Sequence, residues 1–235
     1  MNILITGTSK GIGYELVKQY AQNTNTNIVA LSRDIEQLSQ LKEYCKKTYQ
    51  NNIHIYSIDF LSSNFQQALV NILDKHQMHF NVIINNAGLL INKPFGQYSS
   101  SEVHDVFQVN TYAPIFLIQE CLKNIKAEDG CHIINVGSMG GFQGSVKFSG
   151  LSIYSASKAA LANLTECVAE EFKESNLKIN CLALGSVQTE MLNKAFPNYK
   201  AQLTPVQIAK YIYTFSLEGG EYFNGKIIPV SNSTP

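Results

Sequence analysis

Ile3-Leu4-Ile5-Thr6-Gly7-Thr8-Ser9-Lys10-Gly11-Ile12-Gly13 is an apolar run that breaks at once into a turn with three glycines. Glycine permits a tight bend and a close approach of backbone to a ligand. A helical pattern follows to residue 21, so the turn joins a strand to a helix N-terminus. There, unpaired N–H groups and the positive end of the helix dipole attract anions. An ordinary glycine-rich turn would look the same in isolation, so the rest of the chain has to decide. Short runs rich in Ile and Val fall at 2–5, 27–31, 53–58, 80–84, 131–136, 178–184 and 226–230. Helix-like stretches at 13–21, 35–49, 62–76, 101–125, 154–174 and 205–217 lie between them. Several strands are apolar without alternation, as expected for burial on both faces. Strand–helix alternation implies right-handed crossovers and a parallel sheet. With the first turn, this predicts an α/β, doubly wound dinucleotide-binding (Rossmann) fold: about seven parallel strands with helices on both faces.

The chain has 235 residues, 45% of them hydrophobic, which suits a single domain over 1–235 with a substantial core. Eighteen basic side chains balance eighteen acidic ones. That gives no support for a nucleic-acid or anionic-membrane partner. The chain enters a strand at Asn2, so no secretory leader is expected, and no apolar run approaches a membrane span. Five scattered cysteines without a Cys-x-x-Cys pair read as reduced thiols, and a cytoplasmic location follows as an expectation. The five histidines are spread over different elements, and no metal site is expected.

A second motif is Tyr154-Ser155-Ala156-Ser157-Lys158. Residues at i and i+4 share one face of a helix. An ammonium beside a phenol favours phenolate and lowers the tyrosine pKa, which suits the phenol to acid–base catalysis. Asn85-Asn86-Ala87-Gly88 and Asn135-Val136-Gly137-Ser138 lie between the two motifs. In these four segments, in this order, the chain resembles the short-chain dehydrogenase/reductase family of the single-domain type. The likeness runs from Ile3 to about Val230.

The resemblance implies an NAD(P) site. Gly7, Ser9, Lys10, Gly11, Ile12 and Gly13 would cradle the pyrophosphate. Asn86, Ala87 and Gly88 would pass close to the cofactor, and Val187 and Thr189 would contact the nicotinamide amide. Asp59 is expected either at the adenine amino group or as a simple turn residue. The second strand ends Ser32-Arg33-Asp34, without the acid that would repel a 2′-phosphate. Arg33 offers a fork of donors to a phosphate, and Lys10 would be a second cation. NADPH/NADP+ is therefore expected over NADH, the alternative being two solvated charges with Asp34 as the mate of Arg33.

The family pattern also implies a tetrad. Tyr154 would protonate the developing alkoxide. Lys158 would lower its pKa and bind the nicotinamide ribose. Ser138 would hold the carbonyl oxygen, and Asn110 would link Lys158 to a water chain. The chain departs from the pattern in the longer interval between Ser138 and Tyr154, expected as an extended loop at 143–151, and in Leu184-Gly185 where the family has Pro-Gly. The implied activity is reduction of a ketone or aldehyde. The pocket would be lined by Phe95, Phe142, Phe148, Met191, Leu192 and Phe196 and would suit an uncharged small molecule. Alternatives are a 3-oxoacyl-carrier-protein reductase, with Lys93, Lys147, Lys194 and Lys200 meeting the acidic carrier, and a non-catalytic NADP(H)-sensing or scaffold protein. A homodimer or homotetramer through the helices at 101–125 and 154–174 is implied as well.

Overall fold

The computed structural model describes residues 1–76, 78–125 and 130–232. In chain order its strands are β1 (Asn2–Thr6), β2 (Asn27–Ser32), β3 (His54–Ser57), β4 (Val82–Asn85), β5 (Cys131–Ser138), β6 (Leu177–Leu184) and β7 (Ile227–Val230). The helices are α1 (Gly11–Ala21), α2 (Ile35–Tyr49), α3 (Phe65–His76), α4 (Ser100–Phe107), α5 (Ala113–Leu122), α6 (Ser152–Glu171), α7 (Glu190–Ala195) and α8 (Pro205–Tyr222). The strands form one parallel sheet in the order β3-β2-β1-β4-β5-β6-β7. Strand order therefore reverses between β1 and β4, the place where an open α/β sheet receives its ligand.

Two apolar layers sandwich the sheet. Alternate residues of β1 serve each: Ile3 and Ile5 face the layer of α1, α2 and α8, while Leu4 faces the layer of α3 and α5. This is why the central strands read as unbroken apolar runs. Helix starts follow local chemistry. Asp34 accepts from the Gln37 N–H at the head of α2. Ser99 with Glu102, and Thr204 with Gln207, form reciprocal capping boxes ahead of α4 and α8.

Three differences from the expected elements bear on function. The stretch at 101–125 is not one uniform helix. A π-helical turn, Gln108–Tyr112, separates α4 from α5. The loop at 188–204 contains α7, a helix with no buried residue. The fourth strand runs one residue further than expected, to Asn85, which pairs in register with Asn135 of β5, and Asn85 Nδ2 donates to Asn135 Oδ1 at 2.8 Å inside the sheet. Between Ser138 and α6 the chain makes a 3-10 turn, Met139–Gly141, and then a loop. The expected frayed tail at 231–235 falls mostly outside the described residues. Among the described residues, no helix is long and apolar enough to cross a membrane.

Candidate active site

The C-terminal ends of β1, β4, β5 and β6 open into one cavity of about 1230 Å³. That exceeds the usual volume of a single small-molecule site, ~300–1,000 Å³, and leaves room for a dinucleotide together with a substrate. One end is walled by Ser32, Arg33 and Asp59, the other by Ser138, Tyr154 and Lys158.

The glycine turn is built into the fold. Gly7 has φ +72°, and a Cβ on Gly13 would meet the Gly7 carbonyl oxygen at 2.2 Å. Asn86 locks the turn by donating from Nδ2 to the carbonyls of Thr6 (3.0 Å) and Gly7 (3.1 Å). The Thr6 hydroxyl in turn accepts from the N–H groups of Asn86 and Ala87. Lys10 stands at the N-cap of α1 and makes no side-chain cap. The first N–H groups of α1 thus lack a capping side chain at the cavity wall, which fits a pyrophosphate. Ser9 and Ser32 are joined hydroxyl to hydroxyl at 2.9 Å, so the turn and the end of β2 form one surface.

Of the expected cofactor residues, Gly7, Ser9, Lys10, Gly11, Ile12, Arg33, Asp59, Asn86, Ala87, Gly88, Val187 and Thr189 line the cavity. Gly13 stands behind the turn. Asp59 also does the work of a turn residue, accepting from the Leu61 N–H at 3.1 Å. Thr189 caps α7 by accepting from Leu192 N–H at 3.2 Å. Arg33 is exposed, and among the described residues it makes no ion pair; Asp34 serves the α2 cap instead. Lys10 does not converge on Arg33. Its Nζ lies 2.8 Å from Glu190 Oε2, because the first residue of α7 places a carboxylate within its reach.

Three of the four expected catalytic residues line the other end, and Asn110 is buried outside the lining. Tyr154 and Lys158 sit one turn apart on α6, and Ser138 ends β5. The Ser138 hydroxyl stands close enough to the Tyr154 phenol to act on its pKa. Lys158 is 3% exposed and donates from Nζ to the Val136 carbonyl at 2.7 Å.

One expectation is corrected. Lys158 does not lower the Tyr154 pKa here. Burial raises the phenol, and the Ser138 hydroxyl opposes that rise. Burial also pulls Lys158 itself down to about 8, with the Cys181 thiol beside it acting in the opposite sense. The reason is geometric: the ammonium is turned onto a strand carbonyl. Asn110 is fully buried. Its Oδ1 accepts from the Leu89 N–H (2.7 Å), and its Nδ2 donates to the Leu89 carbonyl (2.9 Å) and to Ser157 Oγ (2.9 Å). Ser157 Oγ donates onward to the Tyr154 carbonyl at 2.7 Å. Asn110 therefore ties the loop after β4 to the tyrosine turn of α6. The π-helical turn that carries it is a type of bulge often found at functional sites.

The substrate end is apolar. Phe148, Met191, Leu192 and Phe196 line it as expected. Phe95 and Phe142 do not: Phe95 is 74% exposed in a 3-10 turn outside the cavity, and Phe142 faces a groove beside α6. Val146 also takes a place at the wall. Lys147, between Val146 and Phe148, turns back to donate to the Phe142 carbonyl (2.6 Å) and Ser145 Oγ (2.7 Å). Neighbouring loops are stitched together by residues no motif announced. Asn92 Nδ2 donates to the Ala195 carbonyl (2.8 Å), and the Tyr98 hydroxyl reaches the carbonyls of Ile91 (2.6 Å) and Gly150 (2.9 Å). Among the described residues no group of side chains is arranged to hold a metal ion.

Known proteins resemble this chain in sequence and fold. The family model for short chain dehydrogenase matches residues 1–200. The uncharacterized oxidoreductase YciK of Escherichia coli (strain K12) is 30% identical over 212 residues, 88% of this chain and 82% of its own. The 3-oxoacyl-[acyl-carrier-protein] reductase FabG of Aquifex aeolicus is 25% identical over 242 residues, 97% of this chain and 94% of its own. A short chain dehydrogenase from Escherichia coli CFT073, solved in complex with NADPH, superposes with a TM-score of 0.87 at 27% identity, covering 97% of this chain and 95% of that one. The family model spans most of the chain and the superposition covers nearly all of it, and the chain belongs to the short-chain dehydrogenase/reductase family of NAD(P)-dependent oxidoreductases.

Proposed function

We propose that this protein reduces an apolar ketone or aldehyde to the alcohol with NADPH, Tyr154 serving as general acid. The observation that carries the reading is the Tyr154 phenol, kept protonated by burial, beside the Ser138 hydroxyl in an apolar cavity. The nicotinamide, when bound, supplies the hydride. Ser138 donates to the carbonyl oxygen and fixes it in place as negative charge grows there. Tyr154 gives its proton to that oxygen, so the carbonyl carbon gains the hydride and the oxygen gains the proton. Lys158, whose Nζ approaches within 3.8 Å of the space above Gly88, binds the cofactor ribose. Asn110 holds the tyrosine turn through Ser157.

Arg33, unpaired and next to the neutral Ser32, supports NADPH over NADH. The substrate end presents Val146 and Phe148, 54% and 58% exposed, which an apolar substrate would cover. Charge at the rim speaks against the carrier-protein alternative, even though the relative from Aquifex aeolicus is such a reductase. Lys93 is paired with Glu102, Lys194 with Glu190, and Lys147 is folded onto Phe142. A cytoplasmic enzyme acting as one domain over 1–235, and assembling as a homodimer or homotetramer, completes the reading. Tyr112 and the small side chains Ala156 and Ala159 are exposed on the helices expected to pair.

The test is consumption of NADPH across a panel of neutral, anionic and cationic ketones and aldehydes. Neutral apolar carbonyls are expected to turn over, with Tyr154→Phe losing about 10²-fold or more at unchanged NADPH affinity. Tight NADPH binding without turnover of any carbonyl would overturn the reading in favour of a binding-only protein.

A further inference from the structure

Lys10 stands where a cation could meet a 2′-phosphate, but its ammonium is held elsewhere. Glu190 Oε2 accepts from Lys10 Nζ at 2.8 Å, and Glu190 Oε1 lies 2.6 Å from Lys194 Nζ. One carboxylate thus serves two ammonium groups, and its pKa is held down to about 2 by those bonds. Lys10 and Glu190 line the same cavity from two adjacent segments, the glycine turn and the first turn of α7. Arg33 lines that cavity too and has no carboxylate partner among the described residues. The Ser9–Ser32 hydrogen bond brings the backbones from which Lys10 and Arg33 depart into one surface.

We propose that Glu190 is a cofactor-selectivity residue, which competes with the ribose 2′-phosphate of NADPH for Lys10. The proposal rests on the reading of Arg33 and Lys10 as the 2′-phosphate ligands. Two effects act in the same direction. The carboxylate occupies a donor that the phosphate would use, and it adds negative charge near a group that already carries close to two. A lysine is a rotatable point charge on a flexible stem, so it can swing between the two acceptors. NADH lacks the 2′-phosphate and makes no claim on Lys10. Glu190 therefore weakens NADPH binding and leaves NADH binding nearly untouched. Lys194 moderates this by drawing the same carboxylate toward α7.

The experiment is fluorescence titration of NADPH and NADH, each against the parent, Glu190→Gln, Lys194→Met, Lys10→Met and the Lys10→Met/Glu190→Gln double variant. Glu190→Gln is expected to tighten NADPH by about two- to fivefold, the range an exposed ion pair allows, with NADH unchanged. The gain should vanish in the Lys10→Met background. Lys194→Met should act with the opposite sign, weakening NADPH. An unchanged NADPH affinity in Glu190→Gln, a gain that persists without Lys10, or an equal gain for NADH would overturn the proposal. Arg33→Ala reports separately on the underlying reading. If it abolishes the NADPH preference while Glu190→Gln does nothing, the 2′-phosphate site stands and only the role of Glu190 falls.

Discussion

Lys158 Nζ donates to the Val136 carbonyl across 2.7 Å, so the lysine is fixed by the same strand end that carries Ser138 two residues on. Burial there brings its pKa to about 8, well below an ordinary lysine. The ammonium form is therefore present below about 8 and is lost as pH rises through that value. NADPH affinity that depends on this charge should weaken in the same direction. Titration of NADPH from neutral to alkaline pH is expected to show Kd rising above about pH 8. In Lys158→Met the affinity should be weaker and flat over the same range.

Ser138 acts on the phenol as well as on the substrate. Its hydroxyl opposes the rise that burial imposes on Tyr154, so Ser138→Ala should push the phenol further up. Loss of one donor to a developing oxyanion typically costs about 10²–10³-fold in kcat. Steady-state kinetics on any accepted carbonyl should show that loss in kcat with KM little changed. An unchanged kcat would remove Ser138 from the mechanism.

The loop before α6 depends on one backbone angle. Gly150 has φ +83°, and a Cβ there would lie 1.9 Å from Asn92 Oδ1. The Gly150 carbonyl also accepts from the Lys93 N–H at 3.0 Å. Gly150→Ala should destabilise the protein by about 1–3 kcal/mol through backbone strain and the clash together. Adding Asn92→Ala removes the clash and leaves the strain. Urea midpoints of the double variant should therefore recover part of the loss, and no recovery would mean that strain alone is responsible.

His132 offers a pH dependence unrelated to catalysis. Its Nδ1 lies 3.1 Å from the Ser216 carbonyl and its Nε2 lies 3.1 Å from Asn180 Nδ2. Asn180 cannot flip without loss, because its Oδ1 accepts from the Lys226 N–H and its Nδ2 donates to the Phe223 carbonyl. Nε2 must then accept, which assigns the neutral ring protonated on Nδ1. Burial accordingly lowers the pKa of His132. Below the unfolded value of about 6.5, the unfolded chain binds a proton that the folded chain refuses. Stability should fall as pH drops from 6.5 toward the folded pKa, by at most about 1.4 kcal/mol per pH unit from this group. An NMR titration of the imidazole that gave a pKa above 6.5 would contradict the assignment.

The sheet and the glycine turn were legible because both are local. Unbroken apolar runs such as Ile133-Ile134 and the three glycines beside Lys10 carry their meaning in neighbouring residues. The Tyr154–Lys158 pair was legible for the same reason, helical spacing. Electrostatics was not. Whether Lys158 faces Tyr154 or the Val136 carbonyl depends on the position of β5 relative to α6, which no spacing encodes. The partner of Lys10 is 180 residues away on a short helix that the loop composition at 188–204 did not announce. The π-helical turn at Asn110 was hidden as well, since its contacts to Leu89 and Ser157 come from two other segments.

Because α7 contributes nothing to the core, the fold does not depend on which side chains it displays. Met191 and Leu192 face the cavity from a helix tethered at its two ends, by Lys10–Glu190 and by Asn92–Ala195. Changes in that short segment can alter what the enzyme accepts without disturbing the sheet beneath. Residues 191 and 192 thus shape the cavity wall from a segment that the core does not need.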